Sequence, residues 1–208
     1  MNKGIFWTVS SCVAFIAIVL GLFLNRFITP SELSISQYKD LQTYILETPR
    51  NLSGFSLVND KGKAFEVEDF EGHWNILFFG FTNCPDICPV TMKQLAVVRE
   101  QLRENSKKIR FFLVSVDPLR DTPRKLRIYL DNFHAEFVGL TGEIDHLYRF
   151  ATQVNAPFSP VTKSKDNNYS VDHYANLVLV NPDGKYAGFF RSPHRVENIN
   201  KSLESLLR

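Results

Sequence analysis

The order of patterned segments predicts an α/β fold, a mixed sheet flanked by helices and preceded by one transmembrane helix. Three observations carry that prediction. A long uncharged run, IFWTVSSCVAFIAIVLGLFL, stands near the amino end from Ile5 to Leu24. Two further apolar runs, WNILFFGF and IRFFLVSVD, are of strand length and continuous rather than alternating, as strands covered on both faces read. Each of these two is followed by a segment of helical spacing before the next strand, the alternation that builds a layered sheet.

The first run is broken only by Thr8, Ser10 and Ser11 and is long enough to cross a bilayer core as a helix. It reads as a membrane anchor. A cleaved signal peptide usually has a shorter apolar region ending in small residues, and a buried core helix rarely runs so far without a charge. Lys3 and the amino group precede the span and Arg26 follows it, so the positive-inside bias is slight and places the amino end in the cytoplasm. With no Arg-rich, Ser-rich leader, the expected location is the bacterial inner (cytoplasmic) membrane, single-pass, with the soluble part in the periplasm. Cys12 lies inside the span, with too few apolar residues before VSSC for a lipoprotein cleavage box. It reads as a small side chain in a helix.

Residues 1–28 therefore read as a cytoplasmic stub and transmembrane anchor, 29–50 as a connector and 51–208 as the folded domain. The connector, TPSELSISQYKDLQTYIL, suits a partly helical segment with a rough apolar stripe of Leu33, Tyr38, Leu41 and Ile45. FSLVNDKGKAFEVEDFEG predicts a hairpin about Asp60-Lys61-Gly62. WNILFFGF is the central strand. From about Pro85 to Asn105, Met92, Leu95, Val98 and Leu102 recur at helical spacing and a basic last turn closes an amphipathic helix.

IRFFLVSVD repeats the buried-strand signature, Thr122 and Pro123 open a second helix, FVGLTG is a short strand and EIDHLYRFATQV another helix. NAPFSPVTKSKDNNYSVDH is polar, with few periodic cues. ANLVLVNPDGKYAGFF then gives strand, turn and strand, and RVENINKSLESLLR a closing helix. A thioredoxin-type core fits this order. At 208 residues, 44% hydrophobic and 22% charged, the chain can fill one such core and carry an appendage. A formal charge of +2 is too balanced to point to nucleic acid as a partner.

Cys84 and Cys88 fall where the first buried strand hands over to its helix, and ligand sites in such sheets gather at strand ends. Residues four apart share one helix face, so both sulfurs can address one spot. The helix amino end favours negative charge, which is expected to lower the thiol pKa. Two thiolates suit a soft cation or a reversible disulfide. A closed zinc site needs four protein ligands, and no further cysteine lies outside the span. An imidazole is the obvious third donor. Of His73, His134, His146, His173 and His194, His173 stands apart, because it ends the irregular stretch just before ANLVLV.

GFTNCPDICPVTM, VSVDPLRDTPRKLRIYL, GLTG and VDHYANLVLVNPDGK, in that order after one amino-terminal span, resemble the SCO/SenC family of copper-binding assembly proteins for cytochrome c oxidase. The resemblance covers roughly residues 50–208. It implies a thioredoxin fold and copper, as Cu(I), Cu(II) or both, bound by Cys84, Cys88 and His173. It also implies that this copper is delivered to the binuclear copper centre of oxidase subunit II, and that an upstream periplasmic copper donor or thiol reductant serves the site. Asp86, between the cysteines, is a possible weak oxygen ligand or a helix-start residue. Asp117, Arg120 and Asp121 read as ordinary loop and helix-start architecture, or as a charged rim near the site that meets a partner.

Other functions share the cysteines. A thiol-disulfide oxidoreductase could use them to keep the oxidase subunit's own cysteines reduced, although classical members space the pair by two residues rather than three. A peroxidase is suggested only by the fold, and a stable structural disulfide is common outside the cytoplasm. The first reading makes the protein a metallochaperone rather than an enzyme. His173 discriminates, since dithiol exchange needs no imidazole ligand and a copper site gains one.

Overall fold

The computed structural model describes residues 3–28, 32–159, 169 and 171–207; most of the polar stretch at 160–170 lies outside them. The chain forms two units, residues 1–32 and 33–208. In the first, helix α1 (Lys3–Ile28) contains Gly4–Leu24, long and apolar enough to cross a membrane.

The second unit opens with a short helix α2 (Ile35–Asp40), started by a capping box in which Ser34 and Gln37 satisfy each other's backbone N–H groups. The helix stops there. Gln42 takes a positive φ of 59°, and β1 (Thr43–Arg50) follows. The apolar stripe of the connector therefore splits: Tyr38 belongs to a helix and Ile45 to a strand. The physical reason is local, because Thr43, Tyr44 and Ile45 are β-branched or aromatic and find an open sheet edge to pair with.

The remaining strands are β2 (Leu57–Asn59), β3 (Ala64–Phe65), β4 (Trp74–Gly80), β5 (Ile109–Ser115), β6 (Val138–Thr141), β7 (Leu177–Val180) and β8 (Tyr186–Phe190). They form one sheet in the order β1-β8-β7-β4-β5-β6-β2-β3. β4, β5 and β6 run parallel, while the outer pairings are antiparallel. Helices α3 (Ile87–Leu102), α4 (Pro123–Leu130), α5 (Ile144–Gln153) and α6 (Val196–Leu206) complete the domain. The predicted hairpin forms as β2 and β3, but Val67–Phe70 makes a 3₁₀ turn that drives Phe70 into the core.

β4 explains why both faces of the sheet are covered. Its side chains alternate, so Phe79 meets Phe150 of α5 while a Cβ at Gly80 would point at Cys88 of α3. Phe65, Phe70, Phe112 and Phe150 interlock with ring centroids 4.9–5.8 Å apart. This is the mixed, helix-flanked sheet the patterning predicts, in a thioredoxin-like arrangement.

The β1 edge depends on a close backbone approach. Tyr44 stacks on Phe189 with centroids 4.8 Å apart, and a Cβ on Gly188 would lie 2.0 Å from the Tyr44 carbonyl oxygen. With a φ of 153° as well, this position suits only glycine. Gly188→Ala is expected to cost about 3 kcal/mol. Urea denaturation measures it, and an unchanged midpoint would show that β1 shifts freely.

Candidate metal centre

The sheet brings three segments to one end. The carboxyl ends of the parallel strands β4 and β5 lie side by side, and the Val116 N–H donates to the Gly80 carbonyl at 2.9 Å. β7 runs antiparallel to β4, with Leu177 opposite Phe78, so the chain entering β7 arrives at the same end. Cys84 therefore sits on the loop leaving β4, Cys88 in the first turn of α3, and His173 just before β7.

The three sequence-predicted ligands converge. Cys84 Sγ, Cys88 Sγ and a ring nitrogen of His173 all lie within 4.8 Å of one another. Both thiols are free, Cys84 half-buried and Cys88 buried. The Cys88 N–H points at Cys84 Sγ, 3.4 Å away. His173 Nε2 stands 3.6 Å from Cys88 Sγ, while Nδ1 faces the Tyr174 carbonyl at 3.4 Å. Donation from Nδ1–H to that carbonyl leaves the Nε2 lone pair aimed at the sulfurs. Metal–sulfur and metal–nitrogen bonds of about 2.0–2.3 Å would need only small inward movements from here.

Packing fixes the imidazole. Phe78 and Phe81 meet its ring edge-on at centroid distances of 5.6 and 5.9 Å. Behind the ring, the Phe158–His173 bridge and a 2.7 Å hydrogen bond from the Ser159 N–H to the Asp172 carbonyl tie the segment to the chain after α5. Gly80 makes room for a thiol: a Cβ there would stand 2.9 Å from Cys88 Sγ.

Burial decides the electrostatics. The Cys88 thiol is pushed well above the ordinary thiol range, chiefly by desolvation and then by its hydrogen bond with Cys84. This corrects the expectation of a helix-lowered thiol pKa at that position: the apolar wall outweighs the helix end. Burial lowers the His173 pKa, against weaker opposing hydrogen bonds to the backbone of Tyr174 and Phe79, which favours the neutral, ligating ring.

Asp86 is exposed, makes no side-chain cap for α3 and stands outside the converging group. Asp117 and Asp121 are each 0% exposed, so the rim reading of SVDPLRDTP fails and its architectural reading stands. The Asp121 carboxylate accepts from the Thr82 N–H at 3.0 Å and the Ser115 hydroxyl at 2.8 Å, tying the cysteine loop to the end of β5. Thr122 caps α4 through the Lys125 N–H, as its sequence position predicts. Other histidines serve structure: His146 Nδ1 accepts from the Ser56 N–H at 2.9 Å, and His194 Nε2 meets the Ala175 carbonyl at 2.8 Å.

Three contributors lie beyond what spacing offers. Gly80 has a signal, a small residue at the end of an apolar strand beside the cysteines. Tyr129, whose hydroxyl is buried and has no hydrogen-bond partner among the described residues, is pushed well above the usual tyrosine range by burial and then by repulsion from Cys88 and Cys84 once these are thiolates. Tyr169 reaches Asp117 from the polar stretch. Neither tyrosine carries a pattern that would mark it.

A thioredoxin-like domain that gathers two thiols and an imidazole at one end of its sheet is a scaffold for soft-metal or thiol chemistry. The SCO1/SenC family model matches residues 46–208, and the chain belongs to that family. A Stutzerimonas stutzeri protein named for copper binding is 38% identical over 164 residues, 78% of this chain and 80% of that one. Arabidopsis thaliana ScoI, solved with copper bound, is 33% identical with a TM-score of 0.67 over 75% of this chain and 98% of that one. Bradyrhizobium japonicum ScoI, also solved with copper bound, is 30% identical with a TM-score of 0.66 over 74% and 98%.

Proposed function

We propose that this chain is a membrane-anchored copper chaperone that binds copper through Cys84, Cys88 and His173 and delivers it to the binuclear copper centre of cytochrome c oxidase subunit II. The convergence of the three donor atoms within 4.8 Å carries the reading. Two soft sulfurs and a neutral imidazole suit Cu(I), and a weak oxygen donor completes Cu(II). Family membership and copper-bound relatives support the same metal. Copper here is cargo. A site with three protein ligands leaves a coordination position that an incoming donor can attack, so the ion passes by ligand exchange.

In this reading residues 1–28 are the stub and anchor in the bacterial inner membrane, and the copper-binding domain facing the periplasm takes in 51–208 together with α2 and β1 from the stretch 29–50 expected as a connector. The span Gly4–Leu24 supports the anchor by length and composition. An upstream donor loads the site, or a thiol reductant readies it. The same free cysteine pair supports a thiol-disulfide role, with the oxidase subunit's cysteines as substrate.

Metal analysis with X-ray absorption on the reduced protein tests the site. The expected shell is sulfur-rich with one nitrogen, and it is expected to be lost in Cys84→Ser and in Cys88→Ser. A full copper load in both variants would refute the assignment. The pH dependence follows from the Cys88 shift. Burial keeps that thiol protonated at neutral pH, so ligation displaces its proton, while His173, with a pKa below its usual value, has none to lose there. Apparent affinity should rise at least about tenfold per pH unit between pH 7 and 8, because each proton released couples binding to pH. Chelator competition reads the slope, and a flat profile would mean that Cys88 does not bind as thiolate.

A further inference from the structure

The turn that leaves β5 holds both halves of the metal centre. On one side Asp121 takes the Thr82 N–H and hydroxyl, two residues before Cys84. On the other, Asp117 Oδ1 accepts the Tyr169 hydroxyl at 2.7 Å, four residues before His173. The two carboxylates are linked through Ser115, whose hydroxyl donates to Asp121 at 2.8 Å while its oxygen accepts the Asp117 N–H at 3.1 Å. Arg120 closes the arrangement. Its guanidinium pairs with Asp117, donates to the Tyr169 carbonyl at 3.0 Å and lies 3.7 Å over the Tyr169 ring.

We infer that Tyr169 is a positioning residue, a latch whose bond to Asp117 under the Arg120 guanidinium holds the His173 segment against the cysteine loop and slows metal release. Asp117 is fully buried, so its carboxylate has little solvent to compete for that bond. The Tyr169 hydroxyl is pushed up to about 12, by burial and then by its bond to Asp117, and stays a donor at neutral pH. Between Tyr169 and His173 the chain is pinned again: Val171 is buried and the Asp172 carbonyl holds the Ser159 N–H. Those anchors and the latch hold the same short segment together, so opening the latch weakens the hold on the imidazole without touching a ligand. The release arm of this inference rests on the copper reading above; the latch itself does not.

The test uses the full chain with Tyr169→Phe, which keeps the ring under Arg120 and deletes only the hydroxyl, and with Asp117→Asn, which keeps an acceptor and weakens the ion pair. In the metal-free protein, amide hydrogen exchange at Ser159 is expected to speed up about tenfold in Tyr169→Phe, the scale set by one hydrogen bond to a charged group. Exchange within β4 should stay unchanged, which a general loss of stability would not allow. Asp117→Asn should fall between wild type and Tyr169→Phe. In the Cu(I)-loaded protein, transfer to an excess of chelator should quicken by a similar factor, with the two-sulfur, one-nitrogen absorption signature retained. Unchanged exchange at Ser159, or equal acceleration in β4, overturns the latch. If the wild-type protein takes up no copper, the copper reading fails while the exchange measurement still decides the latch; if copper binds but leaves every variant at the wild-type rate, control of release is what fails.

Discussion

Replacing His173 with alanine is expected to abolish stable copper binding while leaving Cys84 and Cys88 able to form a disulfide. The imidazole supplies the one nitrogen in a group whose three donors lie within 4.8 Å, and two thiols alone underfill the site. Loss of supporting groups outside the ligand shell commonly costs about 10–100-fold in metal affinity, so loss of a ligand should cost at least about a hundredfold. The fold should survive, because His173 is half-buried and stands in the segment before β7 rather than within a strand, so its loss removes edge-on contacts to Phe78 and Phe81 and leaves the sheet intact. Chelator competition and a thiol assay on oxidised protein read the two properties separately. Copper retained at wild-type affinity would remove His173 from the site. A cysteine pair that no longer oxidises would instead make the imidazole part of the thiol chemistry, and the oxidoreductase reading would gain.

Much of this site was legible before any coordinates, for reasons that can be traced to particular residues. Cys84 and Cys88 sit where an apolar strand meets an amphipathic helix, and both patterns are strong in WNILFFGF and in the Met92–Leu102 stripe. His173 was marked by its place before ANLVLV, because an antiparallel strand paired with β4 must begin where β4 ends. What spacing could not give was the balance of burial against charge. The helix start at Cys88 argues for a lowered thiol pKa, and only the packing of the site reveals that desolvation wins. The burial of Asp117 and Asp121 was hidden for the same reason: two aspartates in a polar loop read alike whether they face water or a Ser115 hydroxyl and a Thr82 amide. β1 escaped because an edge strand with a half-exposed pattern, next to a short helix, has no periodicity of its own to display.

The largest stability effect near the site is expected from Asp121→Ala. That carboxylate is 0% exposed and takes the Thr82 N–H, the Thr82 hydroxyl and the Ser115 hydroxyl. Removing it leaves the buried Ser115 hydroxyl and the part-buried Thr82 amide and hydroxyl without their acceptor, and each buried group so stranded typically costs about 1–3 kcal/mol. Folded domains hold only about 5–15 kcal/mol in total, so a large share of the stability goes. Lys125 contributes little to this. Its ammonium lies 3.6 Å from Asp121 and is 41% exposed, so Lys125→Ala should cost about 0.5 kcal/mol. Asp121→Asn, which retains an oxygen acceptor, should fall between the two. Urea denaturation of the three variants gives the order, and an Asp121→Ala cost no larger than that of Lys125→Ala would mean the hydrogen-bond frame is dispensable. The functional consequence follows from the chain path. Thr82 leads directly into Asn83 and Cys84, so a loop released from Asp121 no longer presents the outer sulfur at a fixed place, and copper affinity should fall even in the fraction that remains folded.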